Sequence, residues 1–443
     1  MTFASAMPEK RLFVSLITRD ITLSDAILDL IDNSINAAMS KVSSPLDSAE
    51  AFYSFLGDTT RKIETKIRIN ISDSQIEVVD DAGGIDAETA QTGIFHFGTA
   101  AGAHSTKDRL SVFGIGMKRA MFKLGNSISM TSEHPSGGFS LKLNVREWEE
   151  TPQQQWGFEI EKLKKYEGSS PGTSIRVTEL HDEVRRRILD PTFIPALKDK
   201  VAKTYAYYLG RLAKIFINEE STEPIVFEIG GNFAHDNFRI DNVEYNITAG
   251  IAPQSEHSRH THEAAGWFVF CNGRALLYAD KSEVTGWGGG ILPVFQPKHR
   301  PFIGLVFFYS AFPEELPWTT TKDFLNQESA VWQEAKQNMA ALARPIVSVL
   351  DQRYNDSEPD SKDMARLAGE TTNSLSATIS VPRTFSAPEK KTKKMRTTTR
   401  IQYDVLLSEL QAIKKHLGQS NIAGSAVGRL TFDYYLENEV GTK

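Results

Sequence analysis

The residues of this chain that could do chemistry gather in three short stretches. In the first, residues 24–38, Asp29 stands one helical turn before Asn33, so a carboxylate precedes a carboxamide on one face. The second, residues 78–85, holds the adjacent acids Asp80 and Asp81, followed by Ala82, Gly83, Gly84 and Ile85. The third, residues 113–118, spaces Gly114 and Gly116 ahead of Lys118. Glycines so placed let backbone N–H groups approach an anion at a helix start, and the lysine adds a positive charge. Each stretch also has a plain explanation: the solvated face of an amphipathic helix, an Asp-Gly turn closing a hairpin, a simple glycine turn. Their order along one chain favours the chemical reading.

The elements that must position these residues can be read from periodicity. Thr22 is a fitting N-cap and Asp25 lies in the first turn, where the helix dipole favours an anion, so a helix starts near Leu23. Ala26, Asp29, Asn33 and Asn36 or Ala37 share one side of it, with Ile27, Leu28, Ile31 and Ile35 round the others. Residues 66–71 and 75–79 alternate apolar and polar around Asp73 and Ser74, which predicts a hairpin whose second strand delivers Asp80 and Asp81. Residues 93–108 are rich in Gly, Ala, Ser and Thr and suit a mobile lid, and residues 114–125 follow as turn and helix. Further strands at 128–131, 139–143 and 174–177 make a first domain of sheet and helices that closes near residue 190. The apolar run at 12–17 packs beneath the first helix as helix or strand, and residues 40–62 read as a loop and short helix without chemistry.

Asp190 and Pro191 open a helical stretch to about Leu212, and strand character resumes at 214–218, where a second α/β domain starts. Its strands are expected at 225–229, 266–271 and 302–309, and its last helix from about Asn326 to Leu350. Residues 355–400 lose apolar periodicity and read as a flexible linker, basic at its end through Lys390, Lys391, Lys393, Lys394, Arg396 and Arg400. Beyond it Tyr403, Leu406, Leu410, Ile413 and Leu417 alternate steps of three and four, a short coiled-coil-like seam that buries only against a partner. The expected divisions are therefore 1–190, 191–354, 355–400 and a helical interaction segment at 401–443.

Composition bounds the function. A chain of 443 residues with 40% hydrophobic content can bury a sizeable core and hold two or three domains. No apolar run approaches a membrane span of about 20 residues, and the first residues lack the apolar core of a secretion signal, so a cytoplasmic, intracellular location is expected. Cys271 is the one cysteine, which excludes an intrachain disulfide and a cysteine zinc cluster. A net charge of -6 gives no global attraction to nucleic acid, so such a contact needs a local patch; the basic run at 390–400 is one, with a solvated linker as its plain reading. His257, His260 and His262 have a spacing that can bind zinc but no second half-site, and read as a solvated loop.

Taken together, the three stretches resemble the N-box and the two glycine boxes of the GHKL ATPases, the superfamily of gyrase B, the ninety-kilodalton heat-shock chaperones, histidine kinases, MutL and MORC proteins. Gly172 and Thr173 resemble the Gly-Thr segment after the lid in these proteins, and Asn272, Gly273 and Arg274 resemble the Asn-Gly-Arg turn of the MutL and MORC transducer domain. The resemblance spans about residues 12–350 and is closest in layout to MORC/MutL-like and heat-shock-chaperone-like ATPases. It implies an α+β fold: a Bergerat-type α/β sandwich ATPase domain, a second α/β transducer-like domain and a helical C-terminal tail. It also implies ATP and Mg²⁺ as cofactors. In that scheme Asp80 accepts from the adenine amine, Asn33 offers its side-chain oxygen to Mg²⁺, and Gly84, Gly114, Gly116, Lys118 and Thr173 belong to the nucleotide site. Ala82 stands where the family has the first glycine of its box. Asp29 replaces the glutamate that acts as general base or water orienter, one methylene shorter, which implies slow hydrolysis unless the backbone compensates. Lys322, within 317–323, is the candidate catalytic sensor of the terminal phosphate.

The function implied is a Mg-ATP-dependent ATPase working as a clamp: ATP orders the lid and makes a homodimer, and Lys322 reports the terminal phosphate to the second domain. Work on DNA follows by analogy, with DNA or a protein partner met through the 390–443 tail and no membrane partner. Two other readings stay open. One is an ATP-gated scaffold that hardly turns over; the other is a histidine-kinase-type protein kinase, which fits less because the N-box begins near residue 29 and a transducer-like segment follows.

Overall fold

The computed structural model describes residues 8–42, 46, 48–58, 65–98, 110, 114–152, 154–253, 263–356, 361–373, 381–388 and 401–441. The chain divides into two compact units, Met1–Pro388 and Glu389–Lys443. The expected histidine group, the basic run at 390–400 and most of the expected lid lie outside the described residues.

The alternation at 66–79 is realised as the hairpin β1 (Thr65–Ile71) and β2 (Gln75–Asp80), paired so that Ile69 meets Val78 and Ile67 meets Asp80. Three helices precede it: α1 (Lys10–Arg19), α2 (Leu23–Ser40) and α3 (Ala49–Gly57). The 12–17 run is thus helical, and α1 packs beside the later helix over Gly116–Leu124. After β2 come a single turn α4 (Ala87–Thr89), a π-turn over Ala90–Ile94, α5 (Gly116–Leu124), β3 (Gly125–Ser132), β4 (Phe139–Asn144), α6 (Val145–Glu150), β5 (Ile160–Lys162) and β6 (Thr173–Leu180). Helices α7 (Asp182–Ile188) and α8 (Phe193–Thr204) then lead to β7 (Ala213–Ile217) and β8 (Glu220–Ser221).

These strands form one eight-stranded sheet in the order β5-β4-β3-β6-β2-β1-β7-β8. β7 lies parallel to β1, every other neighbour being antiparallel. This corrects the expected boundary at residue 190. Strand 214–218 does not open a second domain but extends the first sheet, because a parallel neighbour needs a crossover connection and the α7–α8 segment supplies it. The helix expected to reach Leu212 ends at Thr204, and residues 205–212 continue as turns.

After the short strand β9 (Glu228–Gly230) a second sheet follows, made of β10 (Phe233–Ile240), β11 (Val243–Ile251), β12 (Gly266–Cys271), β13 (Arg274–Asp280) and β14 (Phe302–Tyr309). Its order is β10-β11-β14-β12-β13, with β12 and β14 parallel. Every residue of β12 and β14 is buried, which is why both read as continuous apolar runs rather than alternating ones. The long helix α9 (Ala330–Asp356) packs on this sheet. The expected strand at 225–229 is reduced to β9, which pairs outside both sheets with β15 (Thr371–Asn373).

Residues 361–373 and 381–388 also differ from the expected flexible linker. α10 (Ser361–Ala368) buries Met364, Leu367 and Ala368, β15 pairs with β9, and Arg383 bridges His235 while Phe385 is buried. Windows this short carry too few apolar residues for periodicity to register, although the spacing of Met364, Leu367 and Ala368 is helical. In the second unit α11 (Leu407–His416) and α12 (Gly424–Tyr435) are the expected tail helices, and Leu406, Ile413 and Leu417 are exposed there. Leu367 is wholly buried, so Leu367→Ala should lower stability by about 2–5 kcal/mol, read as a fall in urea midpoint; an unchanged midpoint would mean that the strap adds nothing to the core.

Candidate functional site

Helix α2 starts as expected, Thr22 Oγ1 accepting from Asp25 N at 3.2 Å. It is not amphipathic with a wet face: Asp25, Asp29, Asp32, Ser34 and Asn36 are all buried with its apolar residues. Buried acids of this kind demand partners, since an unpaired charge in a low-dielectric interior is strongly unfavourable. The partners come from α5, α8, β13 and the loop before α9.

Asp29 is gripped by Arg119 of α5, whose Nε and Nη2 lie 3.1 and 2.5 Å from Oδ2. Gly116, at the start of α5, lies beside the same carboxyl: a Cβ there would stand 3.5 Å from the Asp29 carboxyl carbon, an ordinary contact. Lys322 Nζ stands 3.8 Å from Asp29 Oδ1 and 2.5 Å from Asp32 Oδ2, and also donates to Leu110 O at 2.8 Å. Arg274 donates through Nε to Asp32 Oδ1 at 3.1 Å, and Tyr205 OH donates to the same oxygen at 2.7 Å. Burial drives the Asp29 carboxyl up against the pull of Lys322 and Arg119; in Asp32 the same burial is overcome by Arg274 and Lys322, which hold it below the usual carboxylate range.

Arg274 reaches this cluster because Asn272 and Gly273 make a two-residue hairpin turn between β12 and β13, both with positive φ (45° and 79°), the combination an Asn-Gly pair adopts readily. Its Nη1 also donates to Lys322 O at 2.6 Å. Lys322 itself has φ 57°, unfavourable for a residue with a side chain, and is held there from both ends, by Arg274 on its carbonyl and by Asp32 on its ammonium.

The second stretch lies one layer away. Asp80, at the end of β2, sits opposite Thr173 of β6. Its Oδ2 accepts from Ser34 Oγ at 2.6 Å and its Oδ1 from Ala82 N at 3.0 Å, while burial raises its pKa. Thr173 Oγ1 lies 3.0 Å from Ser132 Oγ, which accepts from Ile85 N at 2.7 Å, so β2, β3 and β6 meet in one polar node. Gly84 has φ 67°, and a Cβ there would fall 1.9 Å from Glu133 O. Ala82 is absent from the left-handed positions of this turn, which are Gly83 and Gly84, so alanine is accommodated without backbone strain. Asp81 serves β1 instead, accepting from Lys66 N at 2.7 Å.

Asn33 donates from Nδ2 to Asp29 O at 2.9 Å. With its amino group committed, the side chain presents its oxygen elsewhere, the donor set a hard cation requires. That chemistry fits Mg²⁺. Gly114 (φ 61°) and Gly116 make the turn into α5, but Lys118 does not point freely from it. Its buried Nζ donates to Ile94 O (2.8 Å) and His96 O (2.6 Å), and burial lowers its pKa to about 8.

Residues 21–175 match the family described as histidine kinase-, DNA gyrase B-, and HSP90-like ATPases. The chain carries a GHKL-type ATPase domain. No curated protein matches the chain. The match ends within β6, so the GHKL domain contributes Asp29, Asn33, Asp80 and the glycine turns, while Arg274 and Lys322 reach its base from outside the matched segment. A GHKL domain implies ATP binding, and among the described residues no helix is long and apolar enough to cross a membrane.

Sequence reasoning missed Arg119, Asp32 and Tyr205, and gave Arg274 no role. The signal for Asp32 was an acid among Leu28, Ile31 and Ile35, a charge on an apolar side that needs a buried cation. Nothing local marks Arg119 or Tyr205 as its neighbours' partners.

One titration is testable at the edge of the site. Burial and the neighbouring Asp25 carboxylate raise Asp323 to about 6, with Lys200 opposing. A carboxyl whose folded pKa exceeds its unfolded value near 3.9 binds its proton more tightly in the folded state, so its contribution is present at pH 4 and lost as pH rises through about 6. Asp323→Asn should therefore gain stability relative to the wild type between pH 4 and pH 7; parallel denaturation midpoints over that range would show that Asp323 titrates normally.

Proposed function

We propose that the chain is a Mg-ATP-binding ATPase that acts as a nucleotide-gated dimerising clamp or conformational switch. The observation that carries this reading is the position of Lys322 Nζ, 3.8 Å from Asp29 and 2.5 Å from Asp32 at the base of the GHKL domain, on the loop that runs from β14 of the second sheet to α9. A cation so placed can exchange a carboxylate for the terminal phosphate and move its loop as it does so.

The residue roles follow the chemistry. Asp80 accepts from the adenine amine through an oxygen not saturated by Ser34 or Ala82 N. Asn33 would hold Mg²⁺ through its side-chain oxygen, and the ion would supply charge neutralisation for the phosphates. The turn at Gly114–Gly116 brings N–H groups to the phosphates, Thr173 completes the polar node beside Asp80, and Asp29 orients water. In hydrolysis the water oxygen bonds to the γ-phosphorus as its bond to the β–γ bridging oxygen breaks. ADP leaves with the bonding pair, and the water proton passes by way of Asp29 to phosphate and solvent. Lys118, held on the Ile94 and His96 carbonyls, must release them to meet a phosphate.

The division of labour proposed is a nucleotide domain over 1–190 with its sheet completed at 213–221, a transducer over the second sheet to 354, and a tail at 401–443 that meets DNA or a protein partner. The layout is MORC- or MutL-like by resemblance, and the place of work is cytoplasmic. A second reading, an ATP-gated scaffold with little turnover, is favoured by one observation: the acid at position 29 is an aspartate, one methylene shorter than the glutamate of the family, which favours slow hydrolysis.

The purified 443-residue chain with Mg-ATP tests both. Asn33→Ala should lose binding, Asp29→Ala should bind and lose turnover, and Lys322→Ala should bind but fail to form the ATP-dependent dimer seen by light scattering. Binding and dimers without turnover in the wild type would select the scaffold, and a chain that binds no ATP would end both readings.

A further inference from the structure

We propose that Arg119 is the positioning residue for hydrolysis in this chain, anchoring one oxygen of Asp29 so that the other is presented to the attacking water. The inference rests on the hydrolytic reading above and adds a residue that reading does not contain.

The geometry is asymmetric. Both guanidinium contacts fall on Oδ2, at 3.1 Å from Nε and 2.5 Å from Nη2. Among the described residues Oδ1 accepts no hydrogen bond, its nearest cation being Lys322 Nζ at 3.8 Å. A carboxylate pinned by two donors on one oxygen cannot rotate about its terminal bond without breaking both, so Oδ1 keeps a fixed direction. Both side chains are buried, at 4% and 2% exposure, which removes water as a competitor for either contact.

Placement explains why an anchor is needed. Arg119 lies in the first turn of α5, three residues after Gly116, which the Asp29 carboxyl lies beside. The acid therefore touches the same helix start whose backbone N–H groups face the phosphates. An aspartate reaches one methylene less far than a glutamate, and a short acid tolerates little displacement: about 1 Å can cost a hundredfold in rate. Arg119 ties the acid on α2 to the helix start on α5, setting that distance from the side opposite the water.

A double-mutant cycle on the full chain tests this, reading kcat and KM for Mg-ATP turnover, affinity for a fluorescent ATP analogue, and the thermal melt. Arg119→Ala should lower kcat about a hundredfold with analogue affinity unchanged. Asp29→Asn should abolish most turnover, and the double variant should be no slower than Asp29→Asn alone, because Arg119 acts through Asp29. Arg119→Lys keeps the charge but not the two-nitrogen grip; it should fold even where Arg119→Ala does not, and lose roughly tenfold in kcat at unchanged affinity. Multiplicative losses in the double variant, equal losses in affinity and kcat, or full turnover in Arg119→Lys would each overturn the proposal while leaving Asp29 in its role. Wild-type turnover that survives Asp29→Asn, or no wild-type turnover at all, would overturn the hydrolytic reading and this proposal with it.

Discussion

Two buried carboxylates on one helix set the terms for everything around them. Asp29 and Asp32 lie a turn apart on α2 with almost no solvent contact, and neither can be ionised there without cations brought from elsewhere in the chain. Arg119 answers from α5, Arg274 from the edge of the second sheet, and Lys322 from the loop before α9. Each pair joins elements distant in sequence, so the cluster ties α2 to α5 and to the second sheet. Breaking any one pair leaves a buried charge without compensation, the situation that costs most in such networks.

The same cluster explains the conformations that the second sheet tolerates. The Asn272–Gly273 turn delivers Arg274 inward, and Arg274 then takes both the Asp32 carboxylate and the Lys322 carbonyl. Lys322 keeps a left-handed backbone because its two ends are independently held. Strain maintained by surrounding bonds is what a switch element requires, since releasing one bond changes the preferred backbone state. A phosphate competing with Asp32 for the Lys322 ammonium would do that.

Around the proposed nucleotide site, side-chain length and backbone angle matter more than residue class. Gly84 is required by contact with the Glu133 carbonyl, whereas position 82 needs no glycine, so its alanine is not a defect in the box. Lys118 occupies a motif position yet spends its charge on two carbonyls of the segment after β2. Thr173 and Asp80 come together through strand pairing alone, and Ser132 ties them to β3.

The sequence by itself determined the local elements and the ordered boxes. The N-cap at Thr22, the hairpin at 65–80, the glycine turn into α5 and the positions of Asp29, Asn33 and Asp80 all follow from periodicity and short motifs, which are properties of neighbouring residues. Tertiary structure decided what those rules do not reach. It placed β7 in parallel beside β1 and so moved the end of the first sheet past residue 190; it packed 361–373 and 381–388 against β9, β10 and β11 where composition indicated a linker; and it chose Arg119, Arg274 and Lys322 as the partners of two acids. Pairing between buried charges depends on which helices and strands meet, and that is settled by packing over separations of tens to hundreds of residues, where no local pattern records it.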